Sequence, residues 1–278
     1  MTLIRSTEDL GHWRSSVLDQ TVAFVPTMGA LHRGHLQLIH VARQQCDLVI
    51  VSVFVNALQF GDEEDFNKYP RSLNTDYEAC IAEGATIVFA PTANDIFPTN
   101  FDRHIEPSSI ANLFEGASRP GHFAGVVTVV NRLFELVKPH VAIFGVKDYQ
   151  QVVVISEMSR KLHPTVEILR VDTVRDIDGL ALSSRNARLS HSAREKVRVI
   201  PDALSHIAEV FQGGQFDCAI LKQSAFEMFG TEPDLEIDYL EIVDRETLER
   251  QAIARPGKSV VLFAGIIDGV RLIDNIEL

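Results

Sequence analysis

The chain has 278 residues, enough for one large or two smaller hydrophobic cores, and its 46% hydrophobic and 23% charged residues are typical of a globular protein. Its formal net charge of −12 argues against tRNA or DNA as the main partner, because affinity for these polyanions comes largely from Lys and Arg. A small anion can still be bound where a pocket is locally positive.

The first forty residues predict a helix, a strand and a second helix. Ser6 and Thr7 precede two acidic residues and an amphipathic pattern, so we expect a helix over 6–18. An apolar strand over 21–25 follows, then a turn through Pro26 and Gly29. A helix that starts near His32 completes the motif VAFVPTMGALHRGHLQL. A strand end, a glycine turn and a helix N-terminus predict an anion site, because unpaired backbone N–H groups and the helix dipole converge there.

The next part of the chain repeats this alternation. The predicted strands are 47–55, 86–90, 141–144 and 166–171, and the predicted helices are 74–83, 124–137 and 148–162. Regular alternation implies right-handed βαβ units and a parallel sheet, whose ligands bind beyond the carboxyl ends of the strands.

The pattern changes beyond Asp176. A turn at 176–179 precedes helical stretches at 193–211 and 216–229, and then strands at 237–243, 259–264 and 270–273. We therefore predict two domains, residues 1–175 and a smaller α+β domain, residues 176–278, which closes over the active site.

Cysteine usage, the N-terminus and the length of the apolar runs predict a cytoplasmic protein. Cys46, Cys80 and Cys218 are odd in number and lack C-x-x-C spacing, so neither a disulfide framework nor a zinc knuckle is indicated. The N-terminus has no basic stretch followed by an apolar one. The longest apolar run, 48–55, is too short to span a membrane.

Two glycine-rich fingerprints are absent from the opening motif. The chain has no G-x-G, so the dinucleotide fingerprint is missing. Gly29 and Gly34 have P-loop spacing, but His35 and Leu36 follow where Lys and Ser or Thr are required. What remains is H-x-G-H, whose imidazoles can donate hydrogen bonds to phosphoryl oxygens. The alternatives are a surface His32 with a partly buried, satisfied His35, or a zinc site for which no third ligand is evident.

Further polar groups lie inside or beside apolar runs, in FVNALQF (54–60), RPGHFAG (119–125), KDYQQ (147–151) and LALSSRN (180–186). With PTMGALHRGH these motifs, in this order, resemble the pantoate–β-alanine ligase (pantothenate synthetase) family of the H-x-G-H nucleotidyltransferase superfamily, and RLIDN (271–275) resembles its tail. The resemblance implies a Rossmann-like parallel sheet with helices on both faces, a smaller C-terminal domain and a homodimer. It also implies that ATP, pantoate and β-alanine give pantothenate, AMP and pyrophosphate through a pantoyl-adenylate, with Mg²⁺.

The resemblance also implies roles for single residues. His32, His35, Lys147 and Arg185 are expected to act in catalysis on the ATP phosphates. Further ATP contacts are expected from Met28, Gly145, Asp148, Val174, Ser183 and Ser184. Substrate contacts are expected from Asn56, Gln59, Tyr69, Arg119, His122 and Gln151. Asp76 resembles a carboxylate near magnesium, and the alternative is a charge on a helix surface.

Three positions depart from the family pattern, Ala57, Val146 and Leu182, and none removes a proposed catalytic group. Two other functions remain open. One is a plain nucleotidyltransferase of the same superfamily, which transfers AMP to a phosphorylated cofactor precursor and releases no free AMP. The other is a nucleotide-binding regulator without turnover.

Overall fold

The computed structural model describes residues 2–61, 63–100 and 105–278. The chain divides into two compact units. The N-terminal unit comprises Met1–Val146 and Gln151–Asp172, and the C-terminal unit comprises Lys147–Gln150 and Thr173–Leu278. The short segment Lys147–Gln150 thus belongs with the C-terminal residues, although the chain around it belongs to the N-terminal unit.

A parallel sheet forms the centre of the N-terminal unit. Its six strands are β1 Thr2–Ile4, β2 Val22–Thr27, β3 Leu48–Val53, β4 Ile87–Phe89, β5 Val141–Gly145 and β6 Glu167–Val171. They lie in the order β1-β4-β3-β2-β5-β6. Strand β2 pairs in parallel with both β3 and β5, so the strand order reverses at β2 and its carboxyl end lies at the switch point where α/β sheets bind ligands.

Helices cover both faces of this sheet. Phe24 of β2 packs in one core together with Phe134, whereas the neighbouring Val25 packs in a second core together with Ile39 and Ala42. Alternate side chains of one strand therefore enter two different cores, as a buried parallel strand requires. The helices of this part of the chain are α1 Thr7–Ser16, α2 Arg33–Gln45, α3 Glu63–Lys68, α4 Leu73–Ala82, α5 Ala93–Ile96, α6 Phe114–Ser118, α7 His122–Val137 and α8 Tyr149–Leu162, with 3-10 turns at Ala57–Gln59, Ser109–Asn112 and Val146–Asp148.

The C-terminal unit has its own core and a three-stranded antiparallel sheet. Its elements are a 3-10 turn at Ser184–Arg188, α9 His191–Lys196, α10 Val199–Gln212, α11 Cys218–Phe229, β7 Glu236–Asp244, β8 Ser259–Ile267 and β9 Val270–Glu277. The strand order is β7-β8-β9. Buried side chains of the helices, such as Ile207 and Leu221, pack in one cluster with Phe263 of the central strand.

The predicted fold class is confirmed, and several elements differ in detail. The helix expected over 193–211 is divided into α9 and α10. Pro201 explains the break, because proline cannot donate to the carbonyl of Val197 and is accommodated only in the first turn of a new helix. Strand β1 and the short helices α3, α5 and α6 were not predicted. Among the described residues, no helix is both long and apolar enough to cross a membrane.

Candidate active site

The loop after β2 takes an unusual backbone path. Gly29 and Ala30 both have positive φ, 82° and 52°, and Gly29 also packs closely, since a Cβ there would lie 2.9 Å from a carboxylate oxygen of Asp76. A left-handed alanine is strained by about 1 kcal/mol. Thr27 supports the loop, because its hydroxyl accepts a hydrogen bond from the Gly29 N–H at 3.2 Å.

Asp76 of α4 holds the same loop from the other side. Its Oδ2 accepts from the Ala30 N–H at 3.0 Å and its Oδ1 accepts from the Leu31 N–H at 2.8 Å. The Ser72 hydroxyl donates a third bond to Oδ2 at 3.2 Å. Asp76 is only 2% exposed, so the alternative of a surface charge is wrong. Hydrogen bonds to an ionised carboxylate are among the stronger ones, and here they offset the backbone strain.

His32 and His35 form a reciprocal capping box at the start of α2. The His32 side chain accepts from the backbone N–H groups of Gly34 and His35, and the His35 Nδ1 accepts from the His32 N–H at 3.3 Å. Because each Nδ1 accepts, the proton of each neutral imidazole lies on Nε2. Gly34 leaves room for this arrangement, since a Cβ there would lie 2.9 Å from the His32 ring and would displace it.

This capping box changes the expected chemistry of the helix N-terminus. We predicted that unpaired backbone N–H groups would face an anion, but the N–H groups of His32, Gly34 and His35 already have imidazole acceptors. That prediction is wrong for these three groups. The donors that the two histidines can offer to an anion are their Nε2–H groups instead.

Asn56 and Gln59 lie at the carboxyl end of β3 and are buried, with 1% and 8% exposure. Asn56 Nδ2 donates to Gln59 Oε1 at 3.2 Å and to the Gly125 carbonyl at 3.1 Å, which orients the Gln59 amide. Gln59 Nε2 then points at Met28 Sδ, 3.0 Å away. A thioether is a weak acceptor, so a substrate oxygen would be a better partner for this amide.

Arg119 and His122 contact the backbone of Gln59. His122 Nδ1 lies 2.7 Å from the Gln59 carbonyl oxygen, which can only accept, so Nδ1 carries the proton. His122 Nε2 is then an acceptor for Arg119 Nη1 at 3.2 Å, and Arg119 Nη2 lies 3.4 Å from the same carbonyl. Gly125 allows α7 to approach, because a Cβ there would lie 2.3 Å from the Leu58 carbonyl oxygen. These residues hold the segment that carries Gln59.

Lys147 and Asp148 lie in the 3-10 turn that follows β5. The Lys147 side chain is 19% exposed and its Nζ lies 3.8 Å from Asp148 Oδ1, so it is not the surface lysine that its residue type favours. The Lys147 carbonyl accepts from Asn275 Nδ2 at 3.0 Å. Tyr149 is 3% exposed and its hydroxyl donates to Glu277 Oε1 at 3.2 Å. These contacts explain why 147–150 belongs to the C-terminal unit.

The segment that contains Ser183, Ser184 and Arg185 follows a tight reversal of the chain. Val174 is hydrogen-bonded to Leu182, whose N–H donates to its carbonyl at 3.0 Å. Ser183 caps the next turn, because its hydroxyl accepts from the Arg185 N–H at 3.2 Å. Val174 and Ser183 to Arg185 therefore belong to one local structure, with Lys147 in the same unit.

The remaining predicted residues lie in the N-terminal unit. Tyr69 is buried and packs edge-on against Phe60, with ring centroids 5.8 Å apart. Gly145 ends β5, and Gln151 lies half-buried in the first turn of α8. Sequence reasoning missed the supporting roles of Thr27 and Gly125, and of Arg175, which pairs with Asp274 at 2.6 Å. It gave Asp274 and Asn275 no role beyond their place in the tail motif RLIDN. The signal for these two was a pair of adjacent polar residues within an apolar strand.

The side chains around Asp76 fit a loop anchor better than a metal ligand. Its Oδ2 accepts two hydrogen bonds and its Oδ1 accepts one, so these bonds occupy three of the carboxylate's approximately four acceptor sites. In the part of the chain that the structure describes, no three His, Cys, Asp or Glu side chains are grouped so that they could hold a metal ion. Magnesium at Asp76 stays a prediction that these contacts do not favour.

Comparison with known proteins decides the family. The family model described as pantoate-beta-alanine ligase matches residues 2–277. The chain belongs to this family. A pantothenate synthetase from Neisseria meningitidis serogroup A is 46% identical over 281 residues, which cover 100% of this chain and 99% of that protein. One from Heliobacterium modesticaldum is 42% identical over 278 residues, 99% of this chain and 98% of that protein.

Solved structures agree with membership of the ligase family. A crystal structure of pantothenate synthetase from Thermus thermophilus has a TM-score of 0.94 at 43% identity and covers 100% of this chain and 99% of its own. A Francisella tularensis pantoate-beta-alanine ligase, complexed with beta-gamma ATP and beta-alanine, has a TM-score of 0.79 at 33% identity and covers 100% and 97%. The resemblance found in the motifs is confirmed, as is the prediction of an enzyme of the ligase class.

Proposed function

We propose that this protein condenses pantoate with β-alanine in an ATP-dependent reaction that passes through a pantoyl-adenylate. A carboxylate is a poor electrophile until one of its oxygens becomes part of a leaving group. Pantoate oxygen attacks the α-phosphorus of ATP and pyrophosphate leaves. The amine of β-alanine then attacks the acyl carbon, and AMP leaves. The Francisella ligase, complexed with beta-gamma ATP and beta-alanine, supports these substrates.

The observation that carries the proposal is the histidine capping box at the switch point of the sheet. Because each Nδ1 accepts a backbone hydrogen bond, His32 and His35 are held with Nε2–H as their donor. Two preoriented donors suit the charge that develops on the oxygens of departing pyrophosphate. Capping alone does not require histidine, since Ser, Thr and Asp cap helices well, and this supports a second role for both rings.

Gln59, Gln151 and Asn56 are proposed to select pantoate and the attacking amine. The Gln59 amide is oriented by Asn56, and its Nε2 donates to the weakly accepting Met28 thioether, so it can donate to a hydroxyl or carboxylate of the substrate instead. Tyr69 is proposed to contribute to substrate binding together with these residues. Arg119 and His122 are proposed to act through Gln59, whose carbonyl they contact, rather than only through the substrate.

Lys147 and Arg185 are proposed to neutralise phosphate charge, and Ser183 and Ser184 to donate hydrogen bonds to phosphate. Asp148 is proposed to accept from the ribose hydroxyls, with the backbone at Met28, Gly145 and Val174 against the nucleotide. A homodimer, closure of the C-terminal unit and the use of Mg²⁺ are kept as predictions from the family resemblance. Magnesium binds mainly through substrate phosphates in many such enzymes.

Isotope exchange tests the proposal. Labelled pyrophosphate should enter ATP only when pantoate is present, and AMP should be released only when β-alanine is added as well. Exchange that is equally fast without pantoate would contradict the ligase and favour another nucleotidyltransferase. Binding of ATP without exchange under any condition would favour the nucleotide-binding regulator.

A further inference from the structure

Strand β9 carries two adjacent polar residues that are both buried. Asp274 is 3% exposed and Asn275 is 5% exposed, although neighbouring residues of a strand normally point to opposite faces. We propose that Asp274 and Asn275 are positioning residues for adenylation, which hold Lys147 and the segment that leads to Arg185. This inference rests on the proposed function of Lys147 and Arg185.

Asn275 holds Lys147 by the backbone. Its Nδ2 donates to the Lys147 carbonyl at 3.0 Å. A carbonyl can only accept, so the amide must present its nitrogen here, and a carboxylate of the same size could not replace it. The Lys147 side chain is long and flexible. Its ammonium group can be placed reproducibly only if the backbone from which it extends is held.

Asp274 holds the segment that leads to Arg185, and it does so through Arg175. The two Arg175 Nη atoms lie 2.6 Å and 3.0 Å from the two Asp274 oxygens, in a bidentate pair. Arg175 also donates to the carbonyls of Gly179 and Asn275, at 3.1 Å and 3.2 Å. Ala181 pairs with Arg175 across the chain reversal, four residues before Arg185. The same guanidinium therefore joins the reversal to β9.

The two anchors are coupled at β9. Asp274 Oδ1 accepts from the backbone N–H of Asn275 at 2.8 Å, so the carboxylate that binds Arg175 also orients the residue that binds Lys147. An apolar cluster of similar volume often stabilises a fold as well as a buried ion pair does. The bidentate geometry supplies a defined position instead, and displacement of a reacting group by about 1 Å can slow a reaction about a hundredfold.

The test uses Asn275→Asp and Asn275→Leu, which remove the donor at nearly constant size. We expect the kcat of pantoate-dependent pyrophosphate exchange to fall about ten- to a hundredfold, with an unchanged KM for pantoate. In a Lys147→Ala background, the same Asn275 substitutions should cause little further loss, because the group that they position is gone. A merely structural role would lower the active fraction and the Tm, and its effect would add to that of Lys147→Ala.

Asp238→Asn is the matched control. Asp238 lies in β7 and pairs at 2.6 Å with Arg271, which is in β9 like Asn275. Asp238 is exposed, so its substitution should leave kcat unchanged. Unchanged kcat in folded Asn275→Asp, or a full additive loss in the Lys147→Ala background, would overturn the inference. If Asn275→Leu folds poorly, Asn275→Asp alone decides. Absence of pantoate-dependent exchange in the unsubstituted enzyme would instead contradict the proposed function.

Discussion

Lys147 is a single residue whose role can be separated from its structural contacts. Its backbone carbonyl makes the hydrogen bond to Asn275, whereas the ammonium group, which has a long ion pair with Asp148 at 3.8 Å, is the part proposed to meet phosphate. Lys147→Ala should therefore preserve the fold and lower the kcat of pyrophosphate exchange about a hundredfold or more, the effect expected from removal of a transition-state charge contact. Steady-state exchange kinetics and circular dichroism measure the two effects independently.

Lys161→Ala is the control for Lys147, because Lys161 lies in the last turns of α8 and is 65% exposed. It removes the same charge from the protein, and exchange should remain near the original rate. A Lys147→Ala enzyme with nearly normal turnover would remove Lys147 from the site. Equal losses in both variants would point to net charge as the cause.

Asp76 gives the second prediction at this scale. Asp76→Asn replaces one acceptor oxygen by an NH₂ group that faces a backbone donor, so the loop of Gly29 and Ala30 loses part of its anchor. We expect the free energy of unfolding to fall by about 2–4 kcal/mol, since buried hydrogen bonds to a charged group are lost. Urea unfolding, with and without Mg²⁺, measures it.

Comparison of urea unfolding with and without Mg²⁺ distinguishes the two roles of Asp76, an anchor of the loop at Gly29 and Ala30 or a metal ligand. An anchor loses stability equally in both solutions, and Glu78→Gln, at an exposed position of the same helix, should change little. A metal ligand would show normal stability without Mg²⁺ and a raised Mg²⁺ requirement in the exchange assay. That second result would reverse our interpretation of the contacts at Asp76.

At the scale of elements, one close approach joins α7 to the 3-10 turn that carries Gln59. A Cβ on Gly125 would lie 2.3 Å from the Leu58 carbonyl oxygen and 2.7 Å from the Gln59 nitrogen, both backbone atoms. Gly125→Ala should therefore force the turn away from α7, destabilise the protein by about 2 kcal/mol or more and raise the KM for pantoate. Thermal unfolding and exchange kinetics measure these effects.

Gly11→Ala is the opposite case. Gly11 lies within α1 with no heavy atom near its would-be Cβ, so alanine should stabilise the protein by about 0.5–1 kcal/mol and leave the KM for pantoate unchanged. If Gly125→Ala behaves like Gly11→Ala, then α7 does not determine the position of Gln59.

The elements that sequence predicted best are those whose signal is local. Strand β3 is an apolar run rich in β-branched residues, α2 begins next to His32 as predicted, and α7 begins and ends within two residues of the predicted limits. Strand β1 has three residues and exists because it pairs with β4, so nothing within it could reveal it. Pro201 is a local signal for the division between α9 and α10. The amphipathic pattern continues on both sides of it, however, and predicts a single helix.

The motifs predicted which residues belong to the candidate site, but they could not predict the hydrogen bonds that position those residues. Nothing in PTMGALHRGH indicates that the two imidazoles accept hydrogen bonds from the backbone N–H groups at the start of α2, because a histidine N-cap is uncommon. The contact of Asn275 with Lys147 joins residues 128 positions apart. Such pairings depend on the register of β9, which is a tertiary property. A motif therefore predicts which functional groups are present, whereas the distant residues that position them cannot be predicted from it.

At the scale of the whole molecule, the two units have separate cores, and each contains a buried cysteine. Burial, followed by the charge of Asp76, raises the pKa of the Cys80 thiol to about 12, and burial also raises the pKa of Cys218. At pH 8 the Cys80 thiolate fraction is then about 10⁻⁴, so both thiols should react with an aromatic disulfide mainly after local opening. Cys46, which is half-buried, is replaced by serine to simplify the assay.

Matched substitutions then test whether the units open independently. Ile39→Val and Ile207→Val each remove one methylene from a fully buried side chain, in the core of Cys80 and in the core of Cys218. Each should cost about 1 kcal/mol, which corresponds to about fivefold faster labelling. If the units open separately, Ile39→Val accelerates Cys80 alone and Ile207→Val accelerates Cys218 alone, as mass spectrometry of labelled peptides would show. Equal acceleration of both thiols by either substitution would mean that the chain unfolds as one cooperative body, because a single opening event would then expose both cores.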